Sequence, residues 1–276
     1  MKAKPVVAAI KADLSDKIAS LPFKPSVHFV RVGEDPASVV YVKSKETTAK
    51  EIGMDAYTHV LPEDSSESSL LAFIDQLNQD DRVDGILVQL PLPKQIDADK
   101  VLLAIDPLKD VDGLHPLNVG RLWVGQDAPL PCTPAGLIKI LDFHNIDIQG
   151  KKVLIIGRSN IVGKPAAALF LRRHATVTIA HSRSRDLPSL CREADILVAA
   201  IGQAGFVKPD MVKPGAVLLD VGVSRIDGKI FGDIDPQAAE VASYLTPMPG
   251  GTGPMTVAML MENSYQAALQ RRKYVP

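Results

Sequence analysis

Apolar and polar positions follow two rhythms along the chain, and the rhythms take turns. Short apolar runs rich in Val, Ile and Leu mark strands at Val27 to Val32, Ala56 to Leu61, Val83 to Leu90, Lys152 to Ile156, Ala175 to Ala180, Asp195 to Gly202 and Ala216 to Val223. Between them, apolar residues recur three and four apart. That helical spacing covers residues 5–19 (Val6, Ile10, Leu14, Ile18), Ser65 to Asn78 (Leu70, Leu71, Ile74, Leu77), Asp97 to Ile105, Lys164 to His174 and Met255 to Arg272. Strand and helix alternate, which predicts an α/β fold with parallel sheets covered by helices on both faces. The run Val83-Asp-Gly-Ile-Leu-Val-Gln-Leu fits a strand buried on both sides. In such sheets ligands collect beyond the carboxyl ends of the strands.

One helix breaks the simple pattern. Asp35-Pro36 is a helix start, an N-cap oxygen followed by a residue whose φ is already helical. Wound at about 100° per residue, Ser38, Tyr41, Val42, Lys45, Ala49 and Ile52 share the apolar face, while Lys43 and Lys50 point to water. A lysine in a buried stripe must lose hydration unless it is paired or neutral. The pattern leaves two readings of Lys45: a stem snorkelling to the surface, or an amine with a chemical task. Tyr41, one turn away, is at contact spacing. Gly33 before this helix, and Gln89 at the end of its strand, both fall at predicted carboxyl ends, which favours the second reading.

A loop rich in Pro, Asp, Gly and Asn follows from Asp106 to Asn118, carrying Asp110, Asp112 and His115. Two acids two residues apart suggest a metal, yet no third ligand has fitting spacing. Solvated turn acids and a carboxylate that recognises a polar ligand both remain open. Thr133 and Pro134 restart a helix that runs to about Asn145, Thr133 as N-cap, and this helix is expected to connect two domains. The domains change over near Leu137: residues 1–137 with 255–276, and residues 138–254. The last helix is expected to pack back on the first domain.

In the second domain, strand, Gly157-Arg-Ser-Asn-Ile-Val-Gly163 turn and helix follow one another. Such a turn can cradle a pyrophosphate against a helix's positive end, although the spacing is not Gly-x-Gly-x-x-Gly. The next strand ends in His181-Ser182-Arg183, where an NAD site usually carries an acid for the ribose 2′-hydroxyl. A hydroxyl and a cation suit a 2′-phosphate instead, so NADP is favoured over NAD. The strands ending at Gly202 and Gly222-Val223 offer backbone that can close over a cofactor.

Composition narrows the field further. Of 276 residues 46% are hydrophobic, enough for real cores, and 31 basic against 32 acidic residues leave a net charge of -1. No basic run marks a nucleic-acid partner. No apolar run reaches the roughly 20 residues that cross a bilayer, and no signal peptide opens the chain. The two cysteines, Cys132 and Cys191, lie far apart, which suits a reducing cytoplasm. The six histidines show no metal spacing, so no metal is expected.

Several stretches together resemble the bifunctional methylenetetrahydrofolate dehydrogenase/methenyltetrahydrofolate cyclohydrolases, the FolD family. They are Pro36-Ala-Ser-Val-Val-Tyr41-x-x-x-Lys45, Val83 to Pro93 around Gln89, Lys109-Asp-Val-Asp112-Gly-Leu-His115-Pro, Pro131-Cys-Thr-Pro-x-Gly136, Gly157 to Pro165, Ala175-Thr-Val-Thr, His181-Ser182 and Thr246 to Thr256. Departures are small, at Thr252 and at Asp235-Pro236. The resemblance implies a folate-binding domain, a Rossmann-type NADP domain and a cleft between them. It implies oxidation of 5,10-methylenetetrahydrofolate by hydride transfer to the nicotinamide, then hydration of the methenyl cation to 10-formyltetrahydrofolate. Lys45 would be the general base, held by Gln89. Tyr41 would stack on the folate, and Asp112 would bind its pterin. Ser38, Pro249, Gly250 and Gly251 would add substrate contacts. Gly157, Arg158, Ser159, Thr133, His181, Ser182, Arg183 and Val223 would bind NADP, and the chain would be a homodimer. Three alternatives stay open: a two-domain NADP oxidoreductase acting on another small substrate, a non-catalytic nucleotide-binding module and, nearer, a monofunctional dehydrogenase.

Overall fold

The computed structural model describes residues 1–274. In chain order the first half holds α1 (Ala3–Ala19), β1 (Ser26–Val32), α2 (Pro36–Glu51), β2 (Asp55–Leu61), α3 (Glu67–Gln79), β3 (Gly85–Val88), α4 (Ala98–Ala104) and α5 (Pro116–Trp123). The second half holds α6 (Cys132–Phe143), β4 (Lys152–Ile156), α7 (Gly163–Arg172), β5 (Thr176–Ala180), α8 (Leu187–Glu193), β6 (Ile196–Ala199), β7 (Val217–Asp220), β8 (Ser224–Ile226), β9 (Lys229–Phe231), β10 (Tyr244–Leu245) and α9 (Thr252–Arg271). The chain packs as two compact units. One is Ala9–Leu130 with the chain from Val257 onward; the other is Met1–Ala8 with Pro131–Thr256.

The first unit is built on a parallel sheet in the order β2-β1-β3. Its period-2 alternation sends Val30, Val32, Ile86 and Val88 to one face, where Leu70 and Ile74 of α3 and Val101 of α4 close a core. On the other face lies α2, whose Glu46 accepts a hydrogen bond from Thr58 of β2 at 2.6 Å. The later part of α9 and the residue after it pack here: Asn263 donates to the carbonyls of Val111 (2.9 Å) and Leu130 (2.8 Å), and Arg272 pairs with the buried Asp84 at 2.9 Å.

The second unit is a five-stranded parallel sheet in the order β10-β7-β6-β4-β5. Read from β4 this is the doubly wound order, with its switch point between β4 and β6. Leu137 and Leu141 of α6 and Ala166, Ala167 and Phe170 of α7 fill one face. Cys191 of α8 with Val207, Val212 and Ala238 fills the other. The compact units change over at Pro131, and Leu137, where the sequence suggested the boundary, is fully buried in this core. Thr133 is not the N-cap. The helix starts at Cys132 with Pro131 as cap, because the Thr133 hydroxyl is spent on Thr256 at 2.8 Å.

Candidate active site

The first unit's strand order reverses at β1, so the loops after β1 and β3 lie side by side at the carboxyl edge. Gly33 follows β1 with φ 78°, its N–H bonded to the Leu61 carbonyl at 2.9 Å. The Arg31 guanidinium holds the Gly33 carbonyl from the other side. Asp35 then caps α2 through the Ser38 N–H at 2.8 Å. The start of α2 is fixed from several directions, and so is the helix face it presents.

That face buries Ser38, Val42, Lys45 and Ala49, with Lys45 only 8% exposed. The Lys45 Nζ donates to Gln89 Oε1 at 2.9 Å. Gln89 continues β3, its backbone N–H bonding the Val30 carbonyl at 2.8 Å, and its own Nε2 donates to the Leu90 carbonyl at 2.6 Å. The second bond fixes which amide atom faces the lysine. An amide oxygen accepts from an ammonium or a neutral amine and adds no negative charge that would hold the proton on. Tyr41 departs from expectation: it is 46% exposed, at the margin of the stripe rather than within it. Its ring, one turn before Lys45, is open for stacking.

Asp110 and Asp112 differ sharply. Asp110 is 2% exposed and spends its carboxylate on the N–H groups of Gly113 (3.0 Å), Leu114 (3.3 Å) and His115 (2.8 Å) and on Asn118 (2.9 Å). Its task is to shape the loop. Next to it, Val111 is buried against Gly85, where a β-carbon would stand 2.4 Å from the Val111 side chain. Between these anchors the half-buried Asp112 is held on a rigid loop.

In the second unit the loops after β4 and β5 are neighbours, since the two strands pair from Lys152–Thr176 to Ile156–Ala180. Gly157 has φ 123°, and a β-carbon there would meet the Ala200 carbonyl at 2.4 Å; one on Gly163 would meet the Gly157 carbonyl at 2.3 Å. Only glycine lets this turn close onto the start of α7. The Ser159 hydroxyl accepts from the N–H groups of Val162 (3.1 Å) and Gly163 (3.3 Å). Arg158, Ser159, Ser182 and Arg183 are exposed, and His181 is half-buried, its Nδ1 accepting from the Arg183 N–H at 3.1 Å. No carboxylate ends β5, and the arginines beside it suit a 2′-phosphate. An open glycine turn, a helix N-terminus and these cations fit NADP.

Val223 is 48% exposed beside the β7 end. Thr133 is half-buried on α6. Pro249, Gly250 and Gly251 lie between β10 and α9, also in the second unit, with Gly250 at φ 98°. The structure thus brings Ser38, Tyr41, Lys45, Gln89 and Asp112 into the first unit and the NADP candidates, with Pro249 to Gly251, into the second.

Two buried acids of the second unit went unassigned by sequence reasoning. Asp220 and Asp233 are 2% and 0% exposed, and they sit against each other's loops. Burial pushes the Asp220 carboxyl up to about 7, with the Asp233 charge adding and two backbone N–H bonds opposing. An acid closing the apolar run Val-Leu-Leu-Asp before Val-Gly was the available signal.

Comparison with known proteins agrees with this geometry. Residues 131–272 match the model of the tetrahydrofolate dehydrogenase/cyclohydrolase NAD(P)-binding domain, and residues 1–112 match that of the catalytic domain. A bifunctional protein FolD of Thermus thermophilus is 53% identical over 264 residues, covering 96% of this chain and 94% of its own. The crystal structure of the bifunctional FolD dehydrogenase/cyclohydrolase from Campylobacter jejuni superposes with a TM-score of 0.95 at 44% identity, covering 98% of each chain. The Trypanosoma brucei enzyme, solved with NADP and an inhibitor, gives 0.93 at 33% identity and covers 100% of this chain and 98% of that one. The chain belongs to the tetrahydrofolate dehydrogenase/cyclohydrolase family.

Proposed function

We propose that this chain oxidises 5,10-methylenetetrahydrofolate with NADP⁺ and hydrolyses the resulting methenyl cation to 10-formyltetrahydrofolate, and that Lys45 is the base of the second step. The observation that carries this reading is a buried lysine held by a neutral amide, Lys45 to Gln89 at 2.9 Å, at the carboxyl edge of β1 and β3. NADP⁺, when bound by Gly157, Arg158, Ser159, His181, Ser182, Arg183, Thr133 and Val223, supplies the hydride acceptor.

To take a proton from the attacking water, Lys45 must be neutral near pH 7. A cationic methenyl substrate bound beside the amine would favour the neutral form. Gln89 keeps the amine aimed without pairing its charge. Tyr41, with Ser38 behind it, would present a flat surface to the folate ring. Asp112 would accept two N–H bonds from the pterin, a task for which a carboxylate is suited. Pro249, Gly250 and Gly251 would supply close backbone contact.

A single chain that catalyses both steps would spare the methenyl cation a passage from one enzyme to another. The chain would act in one-carbon metabolism as a cytoplasmic homodimer, supplying one-carbon units to purine and amino-acid biosynthesis. No described helix is long and apolar enough to cross a membrane.

The test is an assay of the purified protein with 5,10-methylenetetrahydrofolate and NADP⁺, following reduced nicotinamide and the methenyl compound separately. Reduction without methenyl accumulation is expected. Reduction with full accumulation would leave a dehydrogenase alone, and no reduction would leave a binding module.

A further inference from the structure

At the switch point of the second sheet, the loop after β6 runs Ile201-Gly202-Gln203. It follows the strand next to β4, so it borders the glycine turn that fits the pyrophosphate. Three consecutive N–H groups of this loop point at one buried carboxylate: Ile201 at 2.6 Å, Gly202 at 3.1 Å and Gln203 at 2.6 Å from the Asp233 oxygens. Asp233 belongs to a different segment, just after β9, and is fully buried.

Its placement is built from several sides. The Asp233 and Ile234 N–H groups donate to Asp220 at 2.9 and 3.0 Å. Asp220 is fixed through its own N–H, which donates to Thr246 Oγ1 at 2.7 Å, and through its carbonyl, which accepts from the Thr252 hydroxyl at 2.9 Å. A β-carbon on Gly222 would stand 2.0 Å from the Asp233 carboxylate, and one on Gly232 would stand 1.9 Å from that of Asp220. Both glycines are required by the approach of the acids. Gly222 precedes Val223, so one carboxylate is packed between the two loops that close the carboxyl edge. On the outer side the Ser224 hydroxyl donates to the Gly202 carbonyl at 3.0 Å.

We infer that Asp233 is a positioning residue for NADP: it holds the loops 201–203 and 222–223 in the conformation that receives the cofactor, without touching it. The inference rests on the functional reading above. A carboxylate accepting three amides is the device by which a protein rigidifies an otherwise mobile glycine loop. A pre-formed loop lowers the ordering cost of binding, so its loss appears in cofactor affinity.

The experiment compares wild type, Asp233→Asn and Ser224→Ala. Asp233→Asn keeps the shape but turns one acceptor into a donor facing amides. NADP⁺ affinity is measured by calorimetry, KM and kcat for dehydrogenation separately, and hydrolysis of supplied methenyltetrahydrofolate without cofactor. The expected result for Asp233→Asn is an NADP⁺ Kd and KM raised by about tenfold or more, with cofactor-free hydrolysis within about twofold of wild type. Ser224→Ala should give a smaller rise, about two- to fivefold, of the same kind. A folded Asp233→Asn that binds NADP⁺ as wild type does overturns the inference. If that variant does not fold, an unaltered Kd in Ser224→Ala overturns it. Wild type that binds no NADP⁺ overturns the functional reading and this inference together, which tells the two failures apart.

Discussion

Among the described residues two lysines are buried, and they meet different partners. Lys109 is fully buried and donates to the carbonyls of Leu77 (2.8 Å), Asn78 (2.6 Å) and Asp80 (2.9 Å). Burial lowers its pKa, with the Arg271 charge adding. Its three bonds are spent on carbonyls at the end of α3, the orphan acceptors of a helix C-terminus. Lys45 faces a side-chain amide at a sheet's carboxyl edge instead. Composition and spacing cannot separate these cases, because the difference lies in which backbone the amine meets. Lys45 was legible from helix phase; Lys109 sat in a recognised stretch with no task assigned. Asp110 and Asp112 repeat the lesson. The inner acid organises the loop, and the outer one, half-buried, is the one proposed to meet the pterin. Asp112→Asn is therefore expected to weaken folate binding by about ten- to a hundredfold, the loss of a charge-assisted pair, while NADP⁺ affinity stays as in wild type. Paired calorimetric titrations check it; equal weakening of both ligands would indicate a folding defect.

At the scale of elements, segments with a clear period or an apolar run were readable, and those without either were not. The Asp35-Pro36 start of α2 stands as expected, with Asp35 as the N-cap. Helix α3 starts slightly inside its predicted stretch because Ser66 caps it through the Ser69 N–H at 3.1 Å. Helix α5 was hidden by the Pro, Asp and Asn content of its loop; His115 caps it, its Nδ1 accepting from the Leu117 N–H at 3.0 Å. Strands β8 and β9 are only three residues each, too short for any period, though Asp227-Gly228 at φ 49° and 75° carried the hairpin signal. The end of α3 depends on Lys109 rather than on a glycine cap. Lys109→Met would leave three carbonyls without that donor and should cost about 2–4 kcal/mol of stability. Urea denaturation measures this, and the folate and NADP⁺ affinities of the folded fraction should be unchanged. A loss of less than about 0.5 kcal/mol would show that water replaces the amine freely.

The whole molecule was legible as two parallel sheets because both are buried on two faces and write themselves as apolar runs. The partition of the chain was less so. Residues Met1–Ala8 join the second unit although α1 begins there, and Pro131, not Leu137, opens the cofactor unit. A helix that fills a core looks in sequence like a helix that connects. Strand order, likewise, is absent from any local pattern, yet it is what places the loops after β1 and β3 together and those after β4 and β6 together. The proposed function draws on two switch points on one chain, one with an amine beside it, the other with a glycine turn.

On the proposed mechanism the Lys45 amine takes the proton of the water that adds to the methenyl cation. Supplied 5,10-methenyltetrahydrofolate, with no cofactor, should be hydrolysed by wild type, and Lys45→Met should slow this by about a hundredfold or more while NADP⁺ affinity stays within about twofold. With methylenetetrahydrofolate and NADP⁺, the same variant should let the methenyl compound build up. Hydrolysis by Lys45→Met at the wild-type rate would contradict the account.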